Sequence, residues 1–470
     1  VSPPVLFLCY GKPEDLPESK LFKNLLSLSR QNKLPSHWAC LLMGETPLTG
    51  EEWNQIIAEK LREEGLEWQE NSLTKFEYFQ VAEHSTQELT QLHELIAHLN
   101  VQLDLQGNFL FYPLQEDFSE FLRIIHSLGL SRPPEVRGFR RILLEMPLHS
   151  DLAGLKSKQR ELHDLFREEQ IFRRSYGLCP YILNALISLR FSNGIFEPLW
   201  NRHQIQAVEI SLGDLTPVNR EQPSFIEERL PALLQLLSLI AMDPPVLREE
   251  QAIRNEMLKV LLSLRNLDPY EIPELAMLGR LKSESLLQAD IEPHESYLGL
   301  RIHIDNGRWN ETPFYLRSAA GVPQDRLDLV FHFHPVSNRL FQESDPLDVQ
   351  NTLVISFFPE LKLELSLGVP AGQNTTELQA VQLNWKDEAN AKSMRAGFDA
   401  LLLDCLEGRQ ELFLRADAIE SIEAWISPLK KAREQKKLPR YLYRDSEWGP
   451  SEAESLFEDL HAQWWEPENF

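Results

Sequence analysis

A change of hydrophobic period along the chain narrows the fold more than any other feature. From residue 4 to residue 147, short apolar runs without helical period alternate with stretches whose apolar residues fall on one helical face. "PVLFLCYG", "WACLLMGE", "FEYFQV", "GNFLFYPL" and "RRILLEMP" have the length and composition of buried strands. Between the first four, "DLPESKLFKNLLSLSRQNKL", "TGEEWNQIIAEKLREEG" and "STQELTQLHELIAHLN" read as helices. In the first helix Leu21, Phe22, Leu25, Leu26 and Leu28 make an apolar stripe, and Pro17 with its acidic neighbours suits the start. Thr49 suits the cap of the second. Strand alternating with helix calls for a parallel sheet, so residues 1–172 are expected to form a Rossmann-like, doubly wound α/β domain.

From about Ser150 to Arg265 the chain reads as mainly helical, in "DLAGLKSKQRELHDLFREEQIF", "PYILNALISLRFSNGIFEPLW" and "LPALLQLLSLIA". After Leu281 the period becomes two: "SYLGLRIHIDN", "RLDLVFHFHP", "NTLVISFFP", "LKLELSLGV" and "LQAVQLNW" alternate as half-buried antiparallel strands do. Helices return in "FDALLLDCLEGRQELFL" and "IESIEAWISPLKKAREQKK". Residues 173–470 are therefore expected to form an α+β domain on one large antiparallel sheet, whose exposed face is a candidate oligomer surface. A length of 470 residues gives ample core for two or three domains.

Totals exclude some functions. Lys+Arg 47 against Asp+Glu 71 leaves a net charge of -24, which repels nucleic acid and anionic membrane, so neither is expected as a partner. An anionic substrate needs a locally basic pocket. Cys9, Cys40, Cys179 and Cys405 are scattered without paired spacing, which points to reduced thiols and no metal site. No apolar run approaches the ~20 residues that span a bilayer. The start, "VSPPVLFLCYGKPEDL", lacks a basic segment and is not expected to be a signal peptide, so the Asn-x-Thr triplets at Asn310 and Asn374 carry no message. A cytoplasmic location is expected.

Tempting motifs weaken on inspection. "HELIAH" sets His93 and His98 five apart, about 140° around a helix, whereas a zinc-protease pair is spaced four. "FHFH" places His332 and His334 on one strand face, read most simply as a partly exposed or interface face of the sheet. Cys179 beside Pro180 reads as structural, and Lys12 as a solvated loop lysine.

"LRFSNGIFEPLWNR" resembles the "LRFAN-x-IF-x-P-x-WNR" block of glucose-6-phosphate dehydrogenases, and the likeness runs nearly end to end. "DLPESKLFKNLLSLSRQNKLP", "IRNEMLKVLLSLR", "LRIHIDNGRWNETPFYLR", "LLLDCLEGRQELFLRAD" and "SEWGPSEAESLF" resemble that family's blocks in the same order. The resemblance implies a Rossmann coenzyme domain followed by an α+β domain built on a large antiparallel sheet. It also implies hydride transfer from a sugar phosphate to NADP. In the family an Asp–His pair makes a histidine the base, while a second histidine and lysines hold the phosphate.

Carried over residue by residue, those groups are missing. The family's "Y-R-I-D-H-Y-L-G-K-E" falls on Phe172 to Tyr181, so the aspartate is Ser175, the histidine Tyr176 and the lysine Pro180. The second histidine falls on Ala232. The lysine of "E-K-P-F-G" is Met146 between Glu145 and Pro147, and that of "R-x-G-K" is Ala320 after the retained Arg317. Alanine has no lone pair to take a proton, and tyrosine, with an ordinary pKa near ~10, is a poor base at neutral pH. The coenzyme loop "G-A-S-G-D-L" becomes "GKPEDL": Gly11, Asp15 and Leu16 persist, but the second glycine is Glu14. That glycine normally lets the pyrophosphate approach the backbone. The arginine pair for the 2′-phosphate is Glu45-Thr46, and Glu14, Glu45, Glu116 and Asp117 are expected to line one acidic cleft.

A pseudoenzyme of this family is therefore expected, with neither cofactor nor substrate bound. It would act as a binding or regulatory protein in the pentose phosphate pathway, forming homo- or hetero-oligomers through the sheet on which the family dimerises. An active glucose-6-phosphate dehydrogenase is one partner to expect. Two alternatives stay open. One is an NAD- or NADP-dependent sugar or sugar-phosphate dehydrogenase with a rebuilt site, in which Glu45 binds a ribose hydroxyl, Tyr176 is a relocated acid–base, or Glu227 or Glu228 is the base. The other is a sensor that binds a metabolite without turnover.

Overall fold

The computed structural model describes residues 2–65, 76–132, 138–145, 151–174, 179–215, 224–282, 295–335, 350–372, 377–387, 394–457 and 463–466. By compactness the chain divides into two units, Val1–Ser175 with Phe398–Ala416, and Tyr176–Gly397 with Asp417–Phe470. The first unit thus takes back a C-terminal segment, which a single cut at residue 172 does not contain.

The first unit is built on a six-stranded parallel sheet of order β3-β2-β1-β4-β5-β6. Its strands are β1 (Val5–Tyr10), β2 (Trp38–Gly44), β3 (Phe76–Gln80), β4 (Phe109–Pro113), β5 (Arg140–Glu145) and β6 (Ile171–Arg174). Every residue of β1 and β2 is buried, as befits strands covered on both faces. The intervening helices are α1 (Lys20–Arg30), α2 (Gly50–Glu63), α3 (Thr86–Gln102), α4 (Ser119–Ser127) and α5 (Leu152–Leu165).

Thr49 caps α2 as its sequence suggests, its hydroxyl accepting from the Glu52 N–H at 3.3 Å while the Glu52 carboxylate accepts from the Thr49 N–H at 2.8 Å. Pro17, in contrast, does not start α1. It belongs to a separate single turn, Asp15–Glu18, and Ser19 caps α1 by accepting from the Phe22 N–H at 3.1 Å. Extended backbone at Ser19, with ψ 152°, separates the two, and the serine satisfies a donor that the proline cannot help.

The returning segment closes the β6 side of the sheet. The Leu414 N–H donates to the Arg173 carbonyl at 3.1 Å, and Phe413 meets Phe172 edge-on with centroids 4.9 Å apart. Arg141 Nη1 donates to the carbonyls of Cys405 and Leu406 at 2.8 and 2.6 Å. Gly408 has φ +86°, and a Cβ there would lie 2.5 Å from the Arg141 guanidinium. "LLLDCLEGRQELFLRAD" is thus a block kept for its fit to this sheet.

The second unit holds a nine-stranded, mostly antiparallel sheet. Its strands are β7 (Ile205–Asp214), β8 (Ala276–Leu281), β9 (Tyr297–His303), β10 (Pro313–Ala320), β11 (Arg326–Phe333), β12 (Thr352–Ser356), β13 (Lys362–Pro370), β14 (Leu378–Lys386) and β15 (Arg440–Tyr443). They lie in the order β14-β13-β12-β11-β7-β10-β9-β8-β15, and β7–β10 and β8–β15 are parallel pairs. The middle of the chain is mainly helical as expected, and β7 is a strand within it that the sequence reading did not mark. Val208, Ile210 and Leu212 alternate with more polar residues, and this strand sits at the centre of the sheet. On one face these three align with Phe314 and Leu316, Leu327, Leu329 and Phe331, and Leu353 and Ile355, all buried. Its helices are α6 (Pro180–Phe191), α7 (Phe225–Ala241), α8 (Glu250–Leu262), the start of α9 (Met394–Glu407), which from Phe398 belongs to the first unit, and α10 (Ala416–Glu434). α7 packs against β7, β9 and β10, and α9 continues into the segment of the first unit. Among the described residues no helix is long and apolar enough to cross a membrane.

Candidate functional site

In a doubly wound sheet, ligands bind beyond the C-terminal ends of the strands. β1 ends at Tyr10 and turns at Gly11, whose φ is +156° and where a Cβ would lie 2.8 Å from the Leu114 side chain. Gly11 persists because the exit from β4 presses on it. Pro13 is buried beside it and Glu14 stands exposed just before the turn Asp15–Glu18. Tyr10 stacks on Phe121 with centroids 5.7 Å apart and 9° between planes, and its hydroxyl donates to Glu45 Oε1 at 3.4 Å. Burial first, then Glu45 and Glu120, push the Tyr10 hydroxyl up to about 12. Tyr78 donates to the Thr46 carbonyl at 2.6 Å, and burial with the nearby Glu14 charge pushes it to about 12 as well.

Not all of the expected acidic cleft is free charge. Glu14, Glu45 and Glu116 are exposed, but Asp117 accepts from the Ser119 N–H at 3.1 Å and from Lys158 at 3.3 Å, which hold it below the usual carboxylate range. Lys158 also reaches Glu161 at 3.2 Å.

At the ends of β5 and β6 lies a pair that sequence reasoning missed. Arg174 is buried, with Nε 3.1 Å from Glu145 Oε2 and Nη2 2.6 Å from Oε1. Tyr112 donates to the same carboxylate at 3.1 Å, and Lys20 lies 3.4 Å away. Burial alone would push Glu145 up, but Arg174, Lys20 and Tyr112 outweigh it and hold it low. In the pattern quoted above Arg174 stands where the family has isoleucine, so a charged residue closing an apolar strand was the available signal. Both cations are committed to one carboxylate. Ser175, Tyr176 and Met146 lie outside the described residues.

In the second unit, Ala232 is 3 % exposed within α7 among buried leucines. Glu227 is occupied in a capping box with Ser224, and Glu228 lies 3.7 Å from Arg229 Nε, whose Nη2 reaches Asp214 at 3.0 Å. Pro180 is the first residue of α6, where a missing N–H costs nothing, and Cys179 is buried at its cap. Ala320 ends β10 fully buried, its carbonyl accepting from the Tyr443 hydroxyl at 2.8 Å. The retained Arg317 is spent on the fold: Nε donates to Ser211 Oγ at 2.8 Å and Nη2 to the Trp465 carbonyl at 2.8 Å. It borders a cavity of about 360 Å³ lined also by Tyr297, Trp448, Trp464 and Glu466. His93 and His98 are exposed on α3, His332 sits 2.6 Å from the buried Glu209, and His334 lies 3.1 Å from the Arg202 carbonyl. Among the described residues no group of histidine, cysteine and carboxylate could hold a metal ion.

The block "LRFSNGIFEPLWNR" has a clear structural task. The last carbonyls of a helix have no partner within it. At the end of α7, fully buried Arg190 donates to the Ile240 carbonyl at 2.8 Å and the Met242 carbonyl at 3.0 Å. Trp200 Nε1 donates to the Ile240 carbonyl at 3.0 Å and Trp309 Nε1 to that of Ala241 at 2.8 Å. Glu197 ties Arg190 at 3.1 Å to Arg308 at 2.9 Å. Burial pulls Arg190 down to about 10, with Glu197 partly offsetting it, so the clamp is cationic at neutral pH at the negative end of the helix.

Comparison with known proteins agrees over both units. The model of the NAD binding domain of glucose-6-phosphate dehydrogenase matches residues 8–175, and that of the C-terminal domain matches residues 187–465. A glucose-6-phosphate 1-dehydrogenase of Treponema pallidum is 27% identical over 492 residues, covering 99% of this chain and 95% of the relative. The inactive glucose-6-phosphate 1-dehydrogenase 4, chloroplastic, of Arabidopsis thaliana is 26% identical over 475 residues, covering 97% of this chain and 74% of that protein. Among solved structures, glucose-6-phosphate 1-dehydrogenase from Mycobacterium avium superposes with a TM-score of 0.81 at 22% identity, covering 100% of both chains. At that identity it speaks for the fold.

Proposed function

This chain belongs to the glucose-6-phosphate dehydrogenase family, and on that premise we propose that it keeps the family's frame without its chemistry. It is a cytoplasmic binding or regulatory protein, not an oxidoreductase, and it works through its folded surface. The observation that carries this is Ala232, sealed among leucines inside α7, with the neighbouring Glu227 and Glu228 already engaged at the helix start. Without a positioned proton acceptor, hydride departure from the sugar carbon loses typically ~10²–10⁴ in rate. Three features add support: Glu14 in the coenzyme turn, Arg174 and Lys20 consumed by Glu145, and an inactive relative in Arabidopsis thaliana. The partner surface is the antiparallel sheet, and the partner a second copy or an active member of the family.

A thermal-shift titration with NADP, NAD, glucose 6-phosphate and their pairs tests the proposal. A ligand specific for the native state at 100 times its dissociation constant adds about 2.7 kcal/mol, a readily visible rise in midpoint. A flat response is expected; a shift with a dinucleotide and sugar phosphate together, followed by reduction of the dinucleotide, overturns it. The second reading, a rebuilt NAD(P)-dependent sugar dehydrogenase, is favoured by Glu45, an acid directly after β2 with its carboxylate beside Tyr10. It requires a shift with NAD that Glu45→Ala abolishes.

A further inference from the structure

The sheet of the second unit ends on one side at β15, and the chain leading through that strand is unlike the rest. Lys+Arg 47 against Asp+Glu 71 make the protein acidic, yet "LKKAREQKKLPRYLYR", residues 429–444, holds a single acid, Glu434. Some of its cations are committed to the fold: Lys430 lies 2.7 Å from Glu423 Oε1, and Arg433 pairs with Glu295. Lys431, Lys437, Arg440 and Arg444 are exposed and make no ion pair among the described residues.

β15 runs parallel to β8, with Arg440 beside Leu278 and Leu442 beside Arg280. Side chains alternate across a strand. Tyr443 turns to the core, its hydroxyl donating to the Ser296 and Ala320 carbonyls at 2.6 and 2.8 Å, and Tyr441 packs on the same core cluster. Arg440 and Leu442 therefore share the outer face with Arg280, and Leu442 is 58% exposed there. Arg444 and the exposed Lys282 follow at the ends of the two strands. The backbone is open as well. The Leu278 N–H donates to the Pro439 carbonyl at 2.9 Å and the Lys282 N–H to the Tyr443 carbonyl at 2.8 Å. Residues 439, 441 and 443 thus serve β8, while the N–H and C=O groups of Arg440 and Leu442 face outward, where no described strand pairs with them.

We propose that β15 receives an extended acidic segment of a partner protein, which adds to the sheet as a further strand. The open peptide groups of Arg440 and Leu442 supply the ladder. The outer face sets the sequence: an acid against Arg440, an apolar residue against Leu442 and an acid against Arg444. That pattern, acid-x-apolar-x-acid, reads the same in both directions, so either strand orientation satisfies it. Cations on an edge ordinarily refuse other strands. Here they refuse one kind. A second copy brings its own Arg440 and Arg444 and is repelled, whereas carboxylates are drawn to a basic stretch on a protein whose net charge of -24 repels them elsewhere. A nucleic acid would match the local charge, but it has no use for the exposed leucine or the open peptide groups. This strand addition requires neither the loss of chemistry nor a dimer, and an active dehydrogenase could carry the same edge.

Fluorescence anisotropy with a labelled synthetic peptide tests it on the full chain. The core of the peptide is glutamate-threonine-valine-threonine-glutamate. One control replaces both glutamates by lysine; another puts proline in place of the valine and both threonines, which keeps the charge and removes the ladder donors. Saturable binding of the glutamate peptide alone is expected, weakened at least about tenfold by Arg440→Glu and by Arg444→Glu. Both arginines are exposed and neither holds an ion pair of the fold. Lys33→Glu, at an exposed lysine of the first unit, alters the net charge by the same step and should change little. Amide exchange within residues 440–443 should slow when the peptide is bound. Absence of binding overturns the proposal, as does equal binding of the proline peptide, or R440E and R444E variants that bind no worse than K33E. So does a single-stranded oligonucleotide that binds better than the glutamate peptide, or self-association that R440E removes. Turnover in the thermal-shift samples would sink the proposed function and leave this strand addition standing.

Discussion

Arg190→Met removes the clamp at the end of α7 while nearly keeping side-chain bulk, and its cost can be worked from the contacts. The Ile240 carbonyl keeps Trp200 Nε1 at 3.0 Å, so it is not orphaned. Glu197 keeps Arg308 at 2.9 Å, so it is not left alone either. The Met242 carbonyl loses its arginine partner, and an unsatisfied buried group costs about 1–3 kcal/mol. Loss of a buried cation from a helix C-terminus adds up to about 2 kcal/mol. Relief of the guanidinium's own desolvation, visible in its pKa near 10, returns part of this. The net expectation is a loss of about 2–4 kcal/mol from the second unit.

Trp200→Phe is the internal control. It removes one neutral donor from a carbonyl that still has Arg190 at 2.8 Å, and should cost about 1 kcal/mol for the hydrogen bond itself. Urea unfolding followed by hydrogen exchange on peptides covering α7 separates this unit from the first, since one midpoint for a chain of two units is not well defined. R190M should lower the opening free energy of α7 well beyond W200F. Equal losses, or an R190M loss under about 1 kcal/mol, would refute the assignment of the clamp to the cationic side chain.

Two further predictions concern the first unit. Arg174→Ile, which restores the family's residue type, should cost about 2–3 kcal/mol; Glu145 is left with Lys20 and Tyr112, but it keeps 27% exposure and the loss falls short of the 3–5 of a sealed pair. Adding Glu145→Gln should recover part of that loss in urea unfolding, and no recovery would mean that Arg174 serves by packing. Asp404 gives a pH dependence: burial pushes it up to about 6, with Arg409 only partly offsetting. Its ordinary value is about 3.9, so the folded chain holds a proton that the unfolded chain has released, and stability falls as pH rises from about 4 to about 6 and then levels. Asp404→Asn should flatten that decline, and an unchanged slope between pH 4 and 6 would assign it elsewhere.

Period and composition made the β1 to β5 alternation and the strands after Leu281 legible, because each residue's partner is the layer above or below it. Thr49 could be read as a cap for the same local reason. Ser19 could not be separated from Pro17, since both favour a helix start and only backbone geometry chooses. β7 was hidden by the helices on either side of it, although Val208, Ile210 and Leu212 alternate. The return of residues 398–416 to the parallel sheet depends on contacts such as Leu414 to Arg173, which no local pattern encodes. The pair Arg174–Glu145 joins the ends of two strands 29 positions apart, and a lone arginine after an apolar run does not name its partner.

The two classes of residue in this chain also differ in what a substitution costs the fold. Arg190, Trp200, Arg308 and Trp309 all serve carbonyls or charges around the end of α7, and Arg190 alone of them donates to the Met242 carbonyl. Ala232 stands in the opposite position: an imidazole among the leucines of α7 would need a partner or water, and alanine needs neither. Glu14 and Glu45 are exposed, and Glu45 makes only a long 3.4 Å contact with Tyr10, so a change at either costs the fold little. Once turnover ceases to be selected, active-site groups drift toward whatever the fold prefers, because catalytic constellations are often held against stability. The clamp cannot drift in the same way. On the proposed reading the difference is one of cost: the Met242 carbonyl is left bare if Arg190 is replaced, whereas Ala232 asks nothing of its neighbours, so the fold itself holds the clamp in place whether or not the site turns over.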